Sequence, residues 1–250
     1  MTNIEKVAAR VRQSGFVIDS SFVIRLPRRS TAKAGHSSLR VTGAFTLIEL
    51  VVVFGLIIVL TGLVLSTVGY ARKKGARARA ETEIAAMSAA CENYKSDNAI
   101  YPRDPTANTS TDVLNARTML DPGTTNATLY TAASLVLYRS LSGDRNLDRT
   151  VTAADENYNI DGTALAPPLT QLPRSYFAFK PNMLSPAGGN GTVTASADPF
   201  ANTYGYSTAN QYDPNTGYNP TFDLWSTAGV APSPTPNPPA TQQDLWLKNW

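Results

Sequence analysis

Apolar positions follow two different patterns in the first hundred residues. Residues 50–68, LVVVFGLIIVLTGLVLSTV, are nineteen in a row without a charge, about the length a helix needs to cross a hydrocarbon core. A helix packed on the outside of a globular core would keep a polar stripe at the helical period, and this run has none. Beyond Tyr70 the pattern changes. Ile84, Met87, Ala90, Cys91 and Tyr94 recur at helical spacing within an Ala-rich, charged stretch, so the same helix is expected to continue in amphipathic form. Asp97-Asn98 and then Tyr101-Pro102 stop it, because Pro cannot extend the hydrogen-bond ladder and biases the residue before it to extended geometry. The whole helix is then about 50 residues, about 75 Å long. Its apolar stripe needs a cover, and a compact domain on that face is the expected one.

The rest of the chain alternates shorter signals. Residues 103–126 read as a polar loop. Residues 128–144 place Leu129, Ala132, Leu135, Leu137, Tyr138 and Leu141 at helical spacing and end near Gly143, which predicts a second helix. Residues 175–180, 192–196, 203–208 and 222–227 read as short strands between Gly, Pro and Asn punctuation. The expected class is α+β: a long N-terminal helix, transmembrane in its first half and amphipathic in its second, packed on a small antiparallel β-sheet domain. Trp225, Trp246 and Trp250 are expected as core or edge anchors.

Charge and composition narrow the function classes. The net charge is +3, yet residues 1–44 hold eight Lys and Arg against Glu5 and Asp19, a local +6 that leaves −3 for the other 206 residues. The basic excess therefore belongs to the N-terminal segment, and no nucleic-acid surface is expected on the domain. Basic residues flank the apolar run on both sides, so charge does not orient it. Cys91 is the single cysteine and His36 the single histidine. An intramolecular disulfide is thereby excluded, and so is a Ser-His-Asp or Cys-His dyad within the domain. No enzyme chemistry is expected.

The segment Gly43-Ala44-Phe45-Thr46-Leu47-Ile48-Glu49-Leu50 resembles the prepilin peptidase site of type IV pilins and pseudopilins: a small residue, then FTLIEL, then a long apolar helix. The resemblance implies a cytoplasmic leader, cleavage before Phe45, N-methylation of Phe45, and an anchor that stays in the inner membrane with the C-terminal domain periplasmic. Ala44 stands where the family usually has Gly, with Gly43 one place earlier. Two cuts follow: after Ala44, which makes Glu49 the fifth mature residue as in the family, or after Gly43, which makes it sixth. A carboxylate at the edge of an apolar span is costly and tends to be kept for a partner. The family implies that this partner is the new N-terminal amine of a neighbouring subunit.

Two further stretches resemble type II secretion major pseudopilins. YKSDNAIYP at residues 94–102 matches their helix end, with Ala99 in place of Gly. DPFANTYGY at 198–206 is similar to their Asp-Pro hairpin, and 222–229 with 244–250 to their last strand and closing Trp segment. The implied organisation is a leader at 1–44, a transmembrane and assembly helix at 45–70, its amphipathic continuation at 71–102, a variable region at 103–197 and a C-terminal β region at 198–250. Family members bind calcium in the loop before the final segment. Here that loop, 231–240, is proline-rich and has no acidic residue, so the site is not carried over.

A calcium (Ca2+) site is instead a candidate at residues 144–155. Oxygens at places 1, 3, 5, 7, 9 and 12 of a twelve-residue loop can wrap one ion. Those places hold Asp144, Asn146, Asp148, the Thr150 carbonyl, Thr152 and Asp155, a pattern similar to the calcium loop of dockerin modules. Arg149 occupies the sixth place, where Gly normally makes the turn.

The expected function is structural. Processed subunits would polymerise with copies of themselves and with other pseudopilins into a periplasmic pseudopilus for type II protein secretion. The expected partners are the prepilin peptidase, the inner-membrane secretion platform and membrane lipid. The alternative is a type IV pilin for adhesion, motility or DNA uptake. Such pilins commonly close a C-terminal loop with a disulfide, which a lone cysteine cannot form.

Overall fold

The structure is a computed structural model that describes residues 45–106, 109–230 and 243–250. The chain divides into two compact units, Met1–Val51 and Val52–Trp250. Of the first, residues 45–51 are described. They hold the opening turn of helix α1, Leu47–Asn98, which runs for 52 residues.

From Ala80 onward α1 buries one stripe: Ala80, Glu83, Ile84, Met87, Ala90, Cys91 and Tyr94. The steps of three and four residues keep these side chains on one face of a 3.6-residue helix. The expected amphipathic stretch is therefore present, and Cys91 is a buried packing residue. The helix ends at Asn98, where Ala99 adopts a left-handed φ of 63° and its amide donates to Lys95 O at 2.8 Å. Ala thus occupies the conformation that Gly takes most readily. The Asn98 side-chain amide donates to Tyr94 O at 2.9 Å and to the Tyr176 hydroxyl at 3.1 Å.

The stripe packs on a three-stranded antiparallel sheet. Its strands are β3, Gly205–Ser207, β4, Asp223–Ser226, and β5, Leu247–Lys248, in the order β3-β4-β5. A smaller pair, β1, Leu184–Ser185, and β2, Ala195–Ser196, is also antiparallel. Alternation along β4 sends Leu224 and Trp225 to opposite faces. Leu224 joins the α1 stripe with Tyr204, Tyr206, Phe222 and Leu247. Trp225 packs with Tyr130 and Ala133 of helix α3, Ala127–Ser142, and with Leu114 and Trp246. Helices cover the sheet on both sides, which gives the α+β architecture.

α3 ends as its sequence predicts. Gly143 has φ 84° and its amide closes on Arg139 O at 3.1 Å. A side chain there would crowd the Pro173 carbonyl.

Three expectations are corrected. Residues 175–180 form no strand, because the amides of Tyr176 and Phe177 both donate to Leu141 O, at 2.7 and 2.9 Å. The open carbonyls of a helix C-terminus capture this segment, and its aromatic side chains lie against the core. The strand expected at 192–196 shortens to Ala195–Ser196. The stretch expected as polar loop at 103–126 contains a short helix α2, Ser110–Val113, and buries Thr111, Leu114 and Ala116. It does so because the Trp225 side of the sheet needs apolar cover.

Gly205 sits opposite Trp225 in the ladder, and a Cβ there would fall inside the Trp225 indole. That indole is held by Tyr130 at 5.6 Å, Trp246 at 6.1 Å and Trp250 at 5.9 Å between ring centroids, and its N–H donates to the Tyr130 hydroxyl at 3.1 Å. Gly205→Ala is therefore expected to destabilise the domain by about 2 kcal/mol through overpacking, read as a lower urea midpoint with an unchanged slope.

Candidate functional site

Gly43 and Ala44 lie outside the described residues. Phe45 is described, and its side chain is 83% exposed. All side chains from Phe45 to Gly75 are exposed. Among the described residues α1 is the one helix long and apolar enough to cross a membrane, and none of its apolar window is buried by the protein.

Glu49 has a local partner that the sequence reading missed. Its carboxylate accepts from the Thr46 amide and the Thr46 hydroxyl, both at 2.9 Å, and the Glu49 amide donates back to Thr46 Oγ1 at 3.3 Å. With Leu47 as the first helical residue, Thr46 is the N-cap and Glu49 the third position, which makes a reciprocal capping box. The signal was present as Thr-x-x-Glu before an apolar run. In this chain the carboxylate thus pairs the Thr46 amide at the start of α1, while the Thr46 hydroxyl pairs the Glu49 amide.

A second missed group holds α1 to its domain. Glu83 lies within the buried stripe, at 8% exposure. Arg79 Nε donates to its Oε1 at 2.6 Å, and the Tyr204 hydroxyl donates to its Oε2 at 2.6 Å. Both carboxylate oxygens are therefore paired, as burial of a charge requires. The Tyr204 phenol is pushed up by burial first and by Glu83 second, so it is a protonated donor at neutral pH. The sequence signal was an i, i+4 Arg-Glu pair whose acid falls on the apolar face.

Asp198 organises the hairpin beside this pair. Its Oδ1 accepts from the Phe200 and Asn202 amides at 2.9 and 2.8 Å, and its Oδ2 accepts from the Ser226 hydroxyl. Burial raises its pKa, the hydroxyl and amide donors oppose that rise, and the charge of Glu83 adds to it.

The candidate calcium residues do come together in one loop. Asp144 accepts from the Tyr138 hydroxyl at 2.7 Å and from the Asp148 and Arg149 amides at 3.2 and 2.7 Å. Asn146 Oδ1 accepts from the Asp148 amide, and Asp148 accepts from the Thr150 amide and hydroxyl. Asp155 is buried and ties the two ends together: Oδ1 accepts from the Arg145 and Asn146 amides, Oδ2 from the Thr152 amide. Arg149 takes the turn at φ 76°, and Leu147 takes φ 68°. The Arg149 guanidinium donates to the carbonyls of Pro186, Gly188 and Gly191, contacts that hold a non-Gly residue in that strained region. As placed, the carboxylates serve the loop's own amides. Among the described residues, no three His, Cys, Asp or Glu side chains converge as a metal centre.

No family model matches the chain, and neither the curated proteins nor the solved structures contain a significant match to it.

The raised pKa of Asp198 has a consequence for stability. A carboxyl whose folded pKa exceeds its unfolded value favours folding fully below the unfolded pKa and loses that contribution as pH rises through the folded one. Asp198→Asn keeps the oxygen that accepts both amides and places N–H toward Ser226. The variant is expected to remain folded at pH 7 and to lose part of the fall in melting temperature between about pH 4 and neutrality. A pH series of thermal melts on the parent and the variant checks this.

Proposed function

We propose that this chain is a structural subunit of the type IV pilin-like class, a major pseudopilin of a type II secretion system. On this reading it is cleaved before Phe45, held in the inner membrane by the first half of α1, and polymerised through that same surface. The observation that carries the reading is the division of α1. Its first half is apolar on every side and covered by none of the described residues, while its second half is the spine of an α+β core. Apolar surface of that extent is stable only in lipid or against other apolar helices. The FTLIEL segment at its start, with Glu49 as fifth residue after the Ala44/Phe45 bond, is the sequence feature in support. On this reading Glu49 exchanges its bonds to Thr46 for the N-terminal amine of a neighbour on assembly, which gives the subunits a register. The subunit itself performs no reaction.

The decisive experiment is N-terminal analysis of protein purified from membranes. A start at N-methylated Phe45 is expected. An intact Met1, or a cut beyond Val68, would overturn the assignment.

The calcium reading of residues 144–155 stands as a secondary proposal on ligand spacing. Millimolar calcium, compared with equal magnesium, is expected to raise the melting temperature of the parent and to leave Asp144→Asn unchanged. Equal melts with and without calcium would remove the proposal.

A further inference from the structure

The five basic residues between Arg72 and Arg79 divide into two groups. Arg77 Nη1 donates to Leu245 O at 2.9 Å, and Arg79 is paired with Glu83 at 2.6 Å. Both are committed to the domain. Arg72, Lys73 and Lys74 are exposed and form none of the ion pairs found among the described residues. The next acid along the helix is Glu81, too far along α1 to meet them as an i, i+4 neighbour.

We propose that Arg72, Lys73 and Lys74 form a collar that binds the phosphate headgroups of anionic phospholipid at the end of the membrane span. This rests on the reading of α1 as membrane-spanning. Depth is the first argument. Arg72 and Lys74 lie four and six residues past Val68, about 6 and 9 Å along the axis at 1.5 Å per residue. The headgroup region on one side of a bilayer is about 5–8 Å deep. Their flexible stems can lower the charged ends into that layer. Tyr70, exposed two residues earlier, stands at the level where aromatic side chains favour the interface.

Direction is the second argument. Successive helical residues turn by about 100°, so the three side chains fan over about 200° of the circumference. An acidic protein surface would meet one face of the helix, whereas headgroups surround it. The collar therefore matches an enveloping anionic layer better than a second copy of the chain. Attraction of Lys and Arg to an anionic leaflet acts over a Debye length and is screened by salt. On this account the collar sets how deep α1 sits, and lifting the subunit out of the bilayer breaks its phosphate contacts.

The test uses the full chain reconstituted in phosphatidylcholine vesicles that carry spin-labelled phosphatidylglycerol or spin-labelled phosphatidylcholine. At low ionic strength the immobilised lipid shell is expected to favour phosphatidylglycerol by about fivefold, the preference expected from one such charge. The preference should disappear in high salt and in R72Q/K73Q/K74Q, and persist in R77Q. Equal association of the two lipids, or a preference that survives the triple substitution, overturns the collar. So does indifference to lipid combined with loss of cross-linking between copies in the triple variant, which would assign the cations to a second subunit. Firm insertion without a preference overturns the collar alone. Release of the chain by alkaline carbonate from every vesicle would overturn the membrane reading as well.

Discussion

The domain depends on the burial of one stripe of α1, Ala80 to Tyr94, against β3, β4 and β5. Those strands are three, four and two residues long, and a sheet that small does not persist in water on its own. α1 supplies an apolar wall along one face, and α3 with the α2 region supplies the other. Trp225 and Leu224, adjacent in sequence, fill the two sides. Without the stripe, one face of the sheet would be open, and Tyr204, Tyr206 and Leu247 would lose the α1 side of the cluster that buries them.

Apolar contact alone would let a long helix slide or rotate on such a surface. Polar groups within the interface limit that freedom. Glu83 has both oxygens paired, to Arg79 and to Tyr204, and a shift by one turn would carry Arg79 along but take the second buried oxygen away from its Tyr204 donor, which costs about 1–3 kcal/mol. At the far end Tyr206 donates to Pro102 O at 2.6 Å, and Asp97 bonds Arg174 and Tyr176. Together these bonds fix the second half of α1 on the domain in one register.

On the proposed function, that register matters because the first half of α1 is the surface through which subunits would associate. Force or order carried by the apolar half reaches the domain only through the buried half. Glu49 links chemistry to assembly in the same terms. Its bonds to Thr46 already satisfy it at the helix start, so a neighbour's amine must offer more than the hydroxyl and amide it displaces. A charge-assisted bond in a medium of low dielectric does so.

Periodicity in the sequence was sufficient for the elements whose environment is set locally. The uncharged run, the buried positions 84, 87, 90, 91 and 94, and the helix ending at Gly143 follow from spacing and from backbone preference, and all are present. Thr-x-x-Glu before the apolar run was equally local, although Glu49 was expected to pair with a neighbouring subunit and not to cap its own helix. Residues 175–180 were different. Their alternating aromatic pattern suits a strand, but a ladder needs a partner, and the nearest available acceptor was the end of α3. The same holds for Gly205, whose absent side chain makes sense only beside Trp225, and for Glu83 and Asp198, whose burial is defined by residues 121 and 28 positions away. The sequence by itself determined where the chain is apolar and how each segment repeats, because those depend on neighbours a few residues apart. Tertiary structure decided which segments pair, which acids are buried and which cations remain outside, because those depend on groups that meet only when the chain is folded.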